Sequence, residues 1–142
     1  MSHLILLCDD EPHILRAASI KLSRAGYQVI AASDGQEAWE QIVRRVPDLL
    51  VTDCQMPRLN GFELCERVRQ HVPSRDLPIV MLTAKGFEVR EEEVRERWGV
   101  ERLMAKPFSP RELRDTIDSI LTERRRATIA ALGYAPSHGV DR

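Results

Sequence analysis

The chain has 142 residues, of which 21 are Lys or Arg and 22 are Asp or Glu, so its formal net charge is -1. This length accommodates one domain that buries most of the surface its unfolded form would expose, and it leaves no room for a second domain of ordinary size. The near-zero charge gives no electrostatic reason to expect nucleic acid or an anionic membrane as the main partner.

Five short apolar runs alternate with longer segments of helical period, which predicts an alternating order of strands and helices along the whole chain. The runs lie near residues 3–8, 27–31, 48–52, 78–82 and 102–105. Because βαβ crossovers are right-handed and their loops are short, this order predicts a five-stranded parallel sheet with helices on both faces, an α/β fold.

The first two helices are predicted over residues 12–25 and 35–45. Gly26 ends the first helix, and Asp34 is the N-cap of the second. The inward stripe of the first helix consists of Ile14, Leu15, Ala18, Leu22 and Ala25. That of the second consists of Ala38, Ile42 and, more loosely, Trp39. Both stripes follow the period of an amphipathic helix.

The third helix is predicted over residues 61–72, after Asn60 as N-cap and with Glu63 at its third position. The fourth, near 87–98, contains the highly charged run EVREEEVRERW. The residues it offers to a core are Val94, Trp98 and, more weakly, Val89 or Phe87. We therefore expect it to be the most loosely packed helix.

The last helix has the clearest start in the sequence. Ser109 is its N-cap, Pro110 occupies the first position, and Glu112 completes a capping box. Its inward residues are Leu113, Ile117, Ile120 and Leu121. After about residue 122 the apolar pattern weakens, so we expect a domain over 1–122 and a C-terminal helical extension or flexible tail over 123–142, too short for a DNA-binding domain.

The opening residues MSHLILLCDD lack the basic flank and long apolar core of a secretion signal, and no apolar run approaches the roughly 20 residues that span a bilayer. We therefore expect a soluble, cytoplasmic protein. Cys8, Cys54 and Cys65 are odd in number and lack paired metal-ligand spacing, which favours reduced, buried thiols over disulfides or a zinc site. The position of Cys54 directly after an aspartate leaves redox sensitivity open.

Four of the predicted strands end on polar residues suited to phosphoryl chemistry. These residues are Asp9 and Asp10, Asp53, Thr83 and Lys106. Ligand sites of open α/β sheets form beyond the carboxyl ends of the strands, so we expect these side chains to converge. Two carboxylates about 4 Å apart repel by roughly 4 kcal/mol at an effective dielectric near 20, so three of them need a cation, and oxygen ligands favour Mg²⁺.

Each of these residues also has a purely structural explanation. The pair Asp9 and Asp10 would cap the helix that begins at Pro12, and Asp53 would be a loop acid. Thr83 would be an ordinary strand-end hydroxyl, and Lys106 a solvated lysine before a proline. The placement of all of them at strand ends favours one common site over these separate explanations.

The stretches LLCDDEP, VTDCQMPRLNGFEL, IVMLTA and AKPFSP, in this order, resemble the receiver domain of two-component response regulators over about residues 3–122. The resemblance implies a flavodoxin-like strand order 2-1-3-4-5 with five helices. It implies a signalling switch that catalyses only its own phosphorylation and dephosphorylation and is not a turnover enzyme.

The resemblance also implies the roles of the site residues. Asp53 accepts phosphate from the phosphohistidine of a sensor histidine kinase or a histidine phosphotransfer protein. Asp10, Asp53 and the backbone carbonyl of Gln55 hold Mg²⁺, with Asp9 beside them largely through water. Lys106 pairs with the carboxylate or the phosphoryl group.

Further features of the family would follow from the same resemblance. Thr83 swings toward the phosphoryl oxygens, Pro107 follows a cis peptide, and Gly61 is a glycine for a backbone reason. Phosphorylation would switch the binding of an unidentified downstream protein to the face formed by the fourth helix, the fifth strand and the fifth helix. A homodimer through this region is possible, whereas direct contact with nucleic acid or membrane is not expected.

Three features depart from the family pattern or leave its details open. Leu103 stands where most relatives have Tyr or Phe. A leucine can pack in either direction but has no phenolic hydroxyl, so the Thr83 half of the usual switch is the half that the sequence supports. Gln55 and Lys85 occupy positions that tune phosphate lifetime in relatives. Phe87 and Trp98 flank the charged helix, and Trp98 is interpreted as a half-buried core anchor or else as part of a docking surface.

Three other functions compete with the signalling switch. A phosphatase with an aspartyl intermediate has its nucleophile at the end of the first strand and a second aspartate two positions on, whereas here Asp9 is followed by Asp10, Glu11 and Pro12. A flavin-binding protein needs amides and hydroxyls in the first loop, where DDEP repels phosphate. A receiver-like scaffold that does not depend on phosphorylation remains the alternative, because of Leu103.

Overall fold

The computed structural model describes residues 2–84 and 88–133. Strands and helices alternate along them, as the sequence predicts. The elements are β1 (Leu4–Cys8), α1 (Pro12–Arg24), β2 (Gln28–Ala32), α2 (Gly35–Arg44), β3 (Leu49–Asp53), α3 (Gly61–His71), β4 (Ile79–Thr83), α4 (Glu91–Trp98), β5 (Val100–Ala105) and α5 (Pro110–Ala131). Among the described residues, no helix combines the length and apolar character needed to cross a lipid bilayer.

The five strands form one parallel sheet in the order β2-β1-β3-β4-β5, which confirms the predicted fold class. Its register aligns the carboxyl ends of the strands. Cys8 pairs with Thr52, Asp53 with Leu82, and Thr83 with Ala105. The residues that end or follow β1, β3, β4 and β5 therefore share one edge of the sheet.

Apolar side chains form one layer on each face of the sheet. Alternation along β1 shows the division, because Leu6 and Cys8 lie in one layer and Ile5 and Leu7 in the other. The first layer packs under α2, α3 and α4, and the second under α1 and α5. All residues of β1, β3 and β4 are buried, as expected for central strands covered on both faces.

The predicted N-caps are confirmed at three helices. Asp34 accepts a hydrogen bond from the N–H of Glu37 at 2.8 Å. Asn60 and Ser109 form complete capping boxes with the glutamates three residues on. These local bonds explain why α2, α3 and α5 start where the sequence predicts.

Three boundaries differ from the prediction. Ala25 was predicted on the inward stripe of α1, but it is exposed and follows the end of the helix at Arg24. Helix α4 begins at Glu91, not near 87, and Phe87 and Lys85 lie outside the described residues. Strand β5 begins at Val100, because the left-handed Gly99 (φ 65°) ends α4 and the chain enters the sheet at once.

Helix α5 continues to Ala131, beyond the last residue of the predicted domain. Contacts of Arg124 account for part of this length. Its guanidinium donates to the carbonyls of Arg75 (2.8 Å) and Ser74 (2.6 Å) and lies 3.0 Å from Oε2 of Glu101. This side chain therefore ties the end of the helix to the loop before β4 and to β5.

The interpretation of Trp98 as a core residue is supported by its surroundings. Its side chain is buried, packs with its ring centroid 5.6 Å from that of Phe62, and donates from Nε1 to Oε1 of Glu66 at 2.9 Å. The cysteines are likewise buried and form no disulfide, as predicted. The charged helix α4 is thus anchored by Val94 and Trp98.

Candidate functional site

Two aspartates form the buried floor of the site. Asp53 is the last residue of β3, and Asp9 directly follows β1, where its N–H donates to the carbonyl of Ala32 at 3.1 Å. Asp9 and Asp53 are 1% and 5% exposed. The Oδ1 atom of Asp9 accepts a hydrogen bond from the N–H of Glu11 at 2.9 Å, which orients its carboxylate. Parallel pairing of β1 with β3 therefore brings both carboxylates to the same edge.

Lys106 reaches this floor from the end of β5. Its N–H donates to the carbonyl of Thr83 at 2.8 Å, and the peptide to Pro107 is cis, as predicted. Its Nζ atom lies 3.0 Å from Oδ2 of Asp53, 2.9 Å from Oδ2 of Asp9 and 2.7 Å from Oε2 of Glu11. The lysine is thus in contact with three carboxylates.

The acids outnumber the cation in this cluster. Asp9, Asp10, Glu11 and Asp53 each offer a carboxylate oxygen, and these atoms all lie within 4.8 Å of one another. With every group ionised, one lysine leaves three negative charges in excess. Hard oxygen donors and an uncompensated negative charge are what Mg²⁺ requires, so the residues present fit that ion.

The pKa shifts reflect the same imbalance. Burial raises the pKa of the Asp9 carboxyl, and the nearby Lys106 ammonium only partly offsets this effect. For Lys106, burial disfavours the charged form, but contacts with Glu11, Asp9 and Asp53 outweigh it and raise the lysine pKa above its usual value. The lysine therefore remains charged at neutral pH.

The loop between β3 and α3 is held close to Asp53. Gly61 donates its N–H to the carbonyl of Cys54 at 2.9 Å, and a Cβ on Gly61 would lie 2.0 Å from the carbonyl oxygen of Asp53. This close approach is the backbone reason for a glycine there. The exposed Gln55 has its N–H 3.5 Å from Oδ1 of Asp53.

A second contact outside the acid cluster fixes the same loop. Arg58 has a left-handed backbone (φ 68°), which is unusual for a residue other than glycine. Its guanidinium donates to both carboxylate oxygens of Asp34, at 3.0 and 3.1 Å. Since Asp34 also caps α2, the loop is tied to the start of that helix.

The two residues predicted to switch lie on β4 and β5. Thr83 ends β4, is 7% exposed, and its hydroxyl donates to the carbonyl of Ala84 at 3.5 Å. Burial raises the pKa of the Cys54 thiol to about 12, so Cys54 is a poor nucleophile despite its place beside Asp53. Leu103 packs against the apolar layer under α4, and its N–H donates to Oε2 of Glu91 at 2.8 Å.

Sequence reasoning did not assign Glu11 to the site, nor the pair of Asp34 and Arg58 to its support. Glu11 had a local signal, because it directly follows Asp9 and Asp10. Arg58 and Asp34 are 24 positions apart, and no motif links them. The predicted phosphoryl and metal residues all lie at or beyond the carboxyl ends of the strands: Asp9, Asp10, Asp53, Gln55, Thr83 and Lys106. Leu103, the other predicted switch residue, lies within β5.

Comparison with known families gives the same result as the geometry. The family model of the response regulator receiver domain matches residues 5–118. The chain belongs to this family. Receiver domains of two-component systems are signalling proteins and not turnover enzymes.

Individual relatives agree with this assignment. The alkaline phosphatase synthesis transcriptional regulatory protein PhoP of Bacillus subtilis is 42% identical over 131 residues, which are 92% of this chain and 52% of PhoP. The receiver therefore spans about half the length of the curated relatives it matches. Those relatives are named as transcriptional regulators.

Two solved structures share the fold along nearly their whole length. The chemotaxis response regulator CheY4 of Vibrio cholerae is 29% identical, with a TM-score of 0.76 over 84% of this chain and 99% of that one. A CheY-like receiver domain protein of Methanospirillum hungatei is 27% identical, with a TM-score of 0.79 over 89% and 99%.

Proposed function

We propose that this receiver is a phosphoacceptor whose Asp53 takes a phosphoryl group from the phosphohistidine of a sensor histidine kinase or a histidine phosphotransfer protein. The observation that supports this most is the contact of Asp53 Oδ2 with Lys106 Nζ at 3.0 Å within a cluster of four acids. In this transfer an oxygen of Asp53 forms a bond to phosphorus, the nitrogen–phosphorus bond breaks, and its electron pair stays on the imidazole.

Phosphoryl transfer depends mainly on positioning and on neutralising charge. Asp10, Asp53 and the backbone carbonyl of Gln55 would hold Mg²⁺, with Asp9 beside them through water. When bound, Mg²⁺ supplies positive charge to the phosphoryl oxygens. Lys106 supplies a second positive charge to the same group, because its pKa is raised and its ammonium is already at Asp53.

The phosphoryl group would act by shifting a population between two arrangements. Thr83, at the end of β4, would turn its hydroxyl toward a phosphoryl oxygen. The adjacent surface of α4, β5 and α5 would then change its affinity for a downstream protein. Leu103 takes part through its backbone and its packing, since its N–H already bonds Glu91 of α4.

We further propose that the receiver works as a soluble protein in the cytoplasm and does not itself contact DNA or membrane. The near-neutral net charge of -1 supports this, because a sequence-independent nucleic-acid or membrane surface needs an excess of basic groups. The names of its relatives refer to whole regulators, of which this chain matches about half.

Intact-mass spectrometry after incubation with Mg²⁺ and acetyl phosphate tests the proposal. The wild type should gain one phosphate, only when Mg²⁺ is present. Asp53→Asn should gain none while keeping its fold. Asp76→Asn changes an exposed aspartate near the amino end of β4, at the opposite edge of the sheet, and should be modified like the wild type.

One alternative is supported by a specific observation. Leu103, half-buried at the position of the usual switch aromatic, is compatible with a scaffold that keeps the fold but ignores phosphate. The absence of a phosphate adduct in folded wild-type protein would favour the scaffold over the phosphoacceptor.

A further inference from the structure

Glu11 makes the shortest of the contacts between a carboxylate and Lys106. Its Oε2 atom lies 2.7 Å from Nζ, compared with 2.9 Å for Asp9 and 3.0 Å for Asp53. The backbone of Glu11 is also fixed, because its N–H bonds Oδ1 of Asp9. The position of this carboxylate therefore follows from the buried floor of the site.

Glu11 differs in its exposure from the two aspartates that contact Lys106. Its side chain is 44% exposed, whereas those of Asp9, Asp53 and Lys106 are 2%, 7% and 12% exposed. Glu11 and Lys106 also line a cavity of about 520 Å³, together with His13, Ala84 and Pro107. Of the three acids that contact Lys106, Glu11 is therefore the one that solvent reaches.

The side chain of Glu11 is not needed to start α1. Glu11 is the N-cap residue by its backbone, and its side chain makes no capping hydrogen bond. Its other ionic contact is with His13 at 3.7 Å, and the His13 side chain is 73% exposed. Because exposed pairs contribute little to stability, a change of this side chain leaves the fold in place.

We propose that Glu11 is a positioning residue that anchors the ammonium of Lys106 and sets the charge at the mouth of the site, favouring the metal ion and opposing the phosphoryl anion. The inference rests on the proposed phosphoacceptor function. The ammonium donates hydrogen bonds to Glu11 and Asp53, whereas Oδ2 of Asp9 lies 2.9 Å from Nζ without a hydrogen-bond partner. Removing Glu11 leaves Lys106 to Asp9 and Asp53 alone and takes one negative charge from the cluster.

Opposite changes in cation and anion affinity are the expected consequence. Glu11→Gln should weaken Mg²⁺ binding about three- to tenfold, because one attractive charge is lost. With Mg²⁺ saturating, the same variant should bind beryllofluoride, an analogue of the phosphoryl group on a carboxylate, about three- to tenfold more tightly, because one repulsive charge is lost. A variant with a damaged fold would bind both Mg²⁺ and beryllofluoride more weakly.

Isothermal titration calorimetry measures both affinities, and the ¹⁵N resonance of the Lys106 ammonium reports its contacts. Glu11→Asp keeps the charge but is one methylene shorter. It should restore both affinities toward wild type while the Lys106 resonance still shifts. Glu96→Gln removes the same charge from an exposed position on α4 and should change none of the three readouts.

Unchanged affinities in Glu11→Gln, or affinities that change in the same direction, would overturn the role of Glu11. Failure of the proposed function has a different signature. If the proposed function is wrong, wild-type protein would bind Mg²⁺ without binding beryllofluoride. The Mg²⁺ affinities and the Lys106 resonance would still decide whether Glu11 anchors the lysine.

Discussion

The Nζ atom of Lys106 lies 3.0 Å from Oδ2 of Asp53, although 53 positions separate the two residues in the chain. Their strands are not neighbours, because β4 lies between β3 and β5. Thr83, at the end of β4, connects them because its backbone carbonyl accepts a hydrogen bond from the backbone N–H of Lys106. The central pair of the site thus depends on the packing of three parallel strands.

Lys106→Met should lower stability and strengthen metal binding. Without the ammonium, the buried carboxylates of Asp9 and Asp53 repel each other, which should cost about 1–3 kcal/mol of unfolding free energy. Mg²⁺ should bind more tightly, since no lysine competes for the acids, and should recover the lost stability because it binds the folded state. Urea denaturation with and without Mg²⁺ measures both effects.

The matched control is Lys21→Met, which removes a lysine near the end of α1. This variant should unfold like the wild type and keep its Mg²⁺ affinity. Weaker Mg²⁺ binding in Lys106→Met than in wild type would contradict the balance of charge described for the site.

The ion pair of Asp34 with Arg58 should make the free energy of unfolding depend on pH only under acidic conditions. Burial opposes ionisation of Asp34, but the N–H of Glu37 and the guanidinium of Arg58 outweigh it, so the pKa of Asp34 is below its ordinary value of 3.8. A lowered folded-state pKa means that the stabilisation is present above about 3.8 and is lost as the pH falls below it.

Two variants at this position separate the cap from the ion pair. Asp34→Asn keeps the N-cap, and its free energy of unfolding should fall by a few tenths of a kcal/mol at neutral pH. Asp34→Ala also loses the cap, which should lower the free energy of unfolding by about 1 kcal/mol more. The difference between wild type and Asp34→Asn should shrink below pH 3.8 in a pH series of urea titrations. A difference that grows in acid would rule out the ion pair as its source.

Alanine at two glycines should have very different effects. In Gly61→Ala the new Cβ would lie 2.0 Å from the carbonyl oxygen of Asp53, so the backbone must move. This movement should lower the free energy of unfolding by about 3 kcal/mol or more. Phosphate uptake should also fall, because Asp53 shifts. In Gly26→Ala nothing lies within 4 Å of the Cβ, and only the positive φ of 99° opposes it, at about 1–2 kcal/mol.

Urea denaturation and the intact-mass assay compare the two glycine variants directly. Gly26→Ala should take up phosphate like the wild type, because Gly26 lies between α1 and β2, away from the acids. Equal losses of stability in both variants would argue against the close approach of Gly61 to Asp53.

Local patterns were sufficient to predict most of the fold. Asp34, Asn60 and Ser109 cap their helices through hydrogen bonds that span three residues, so their signal is contained in a short window. The same holds for the apolar runs of the strands. The start of α4 was predicted wrongly, near 87 and not at Glu91, because its N-cap residue Arg90 makes no side-chain hydrogen bond that would mark the start.

The sequence by itself determined that acids, a threonine and a lysine lie at the ends of four of the five strands, because apolar runs and the polar residues after them are local features. Only the tertiary structure decided that Glu11 contacts Lys106 and that Asp34 holds Arg58, at separations of 95 and 24 positions. Contacts of this kind depend on the registers of the sheet and the directions of side chains, which are set when the whole core packs. Such contacts produce no periodic pattern in the sequence from which they could be predicted.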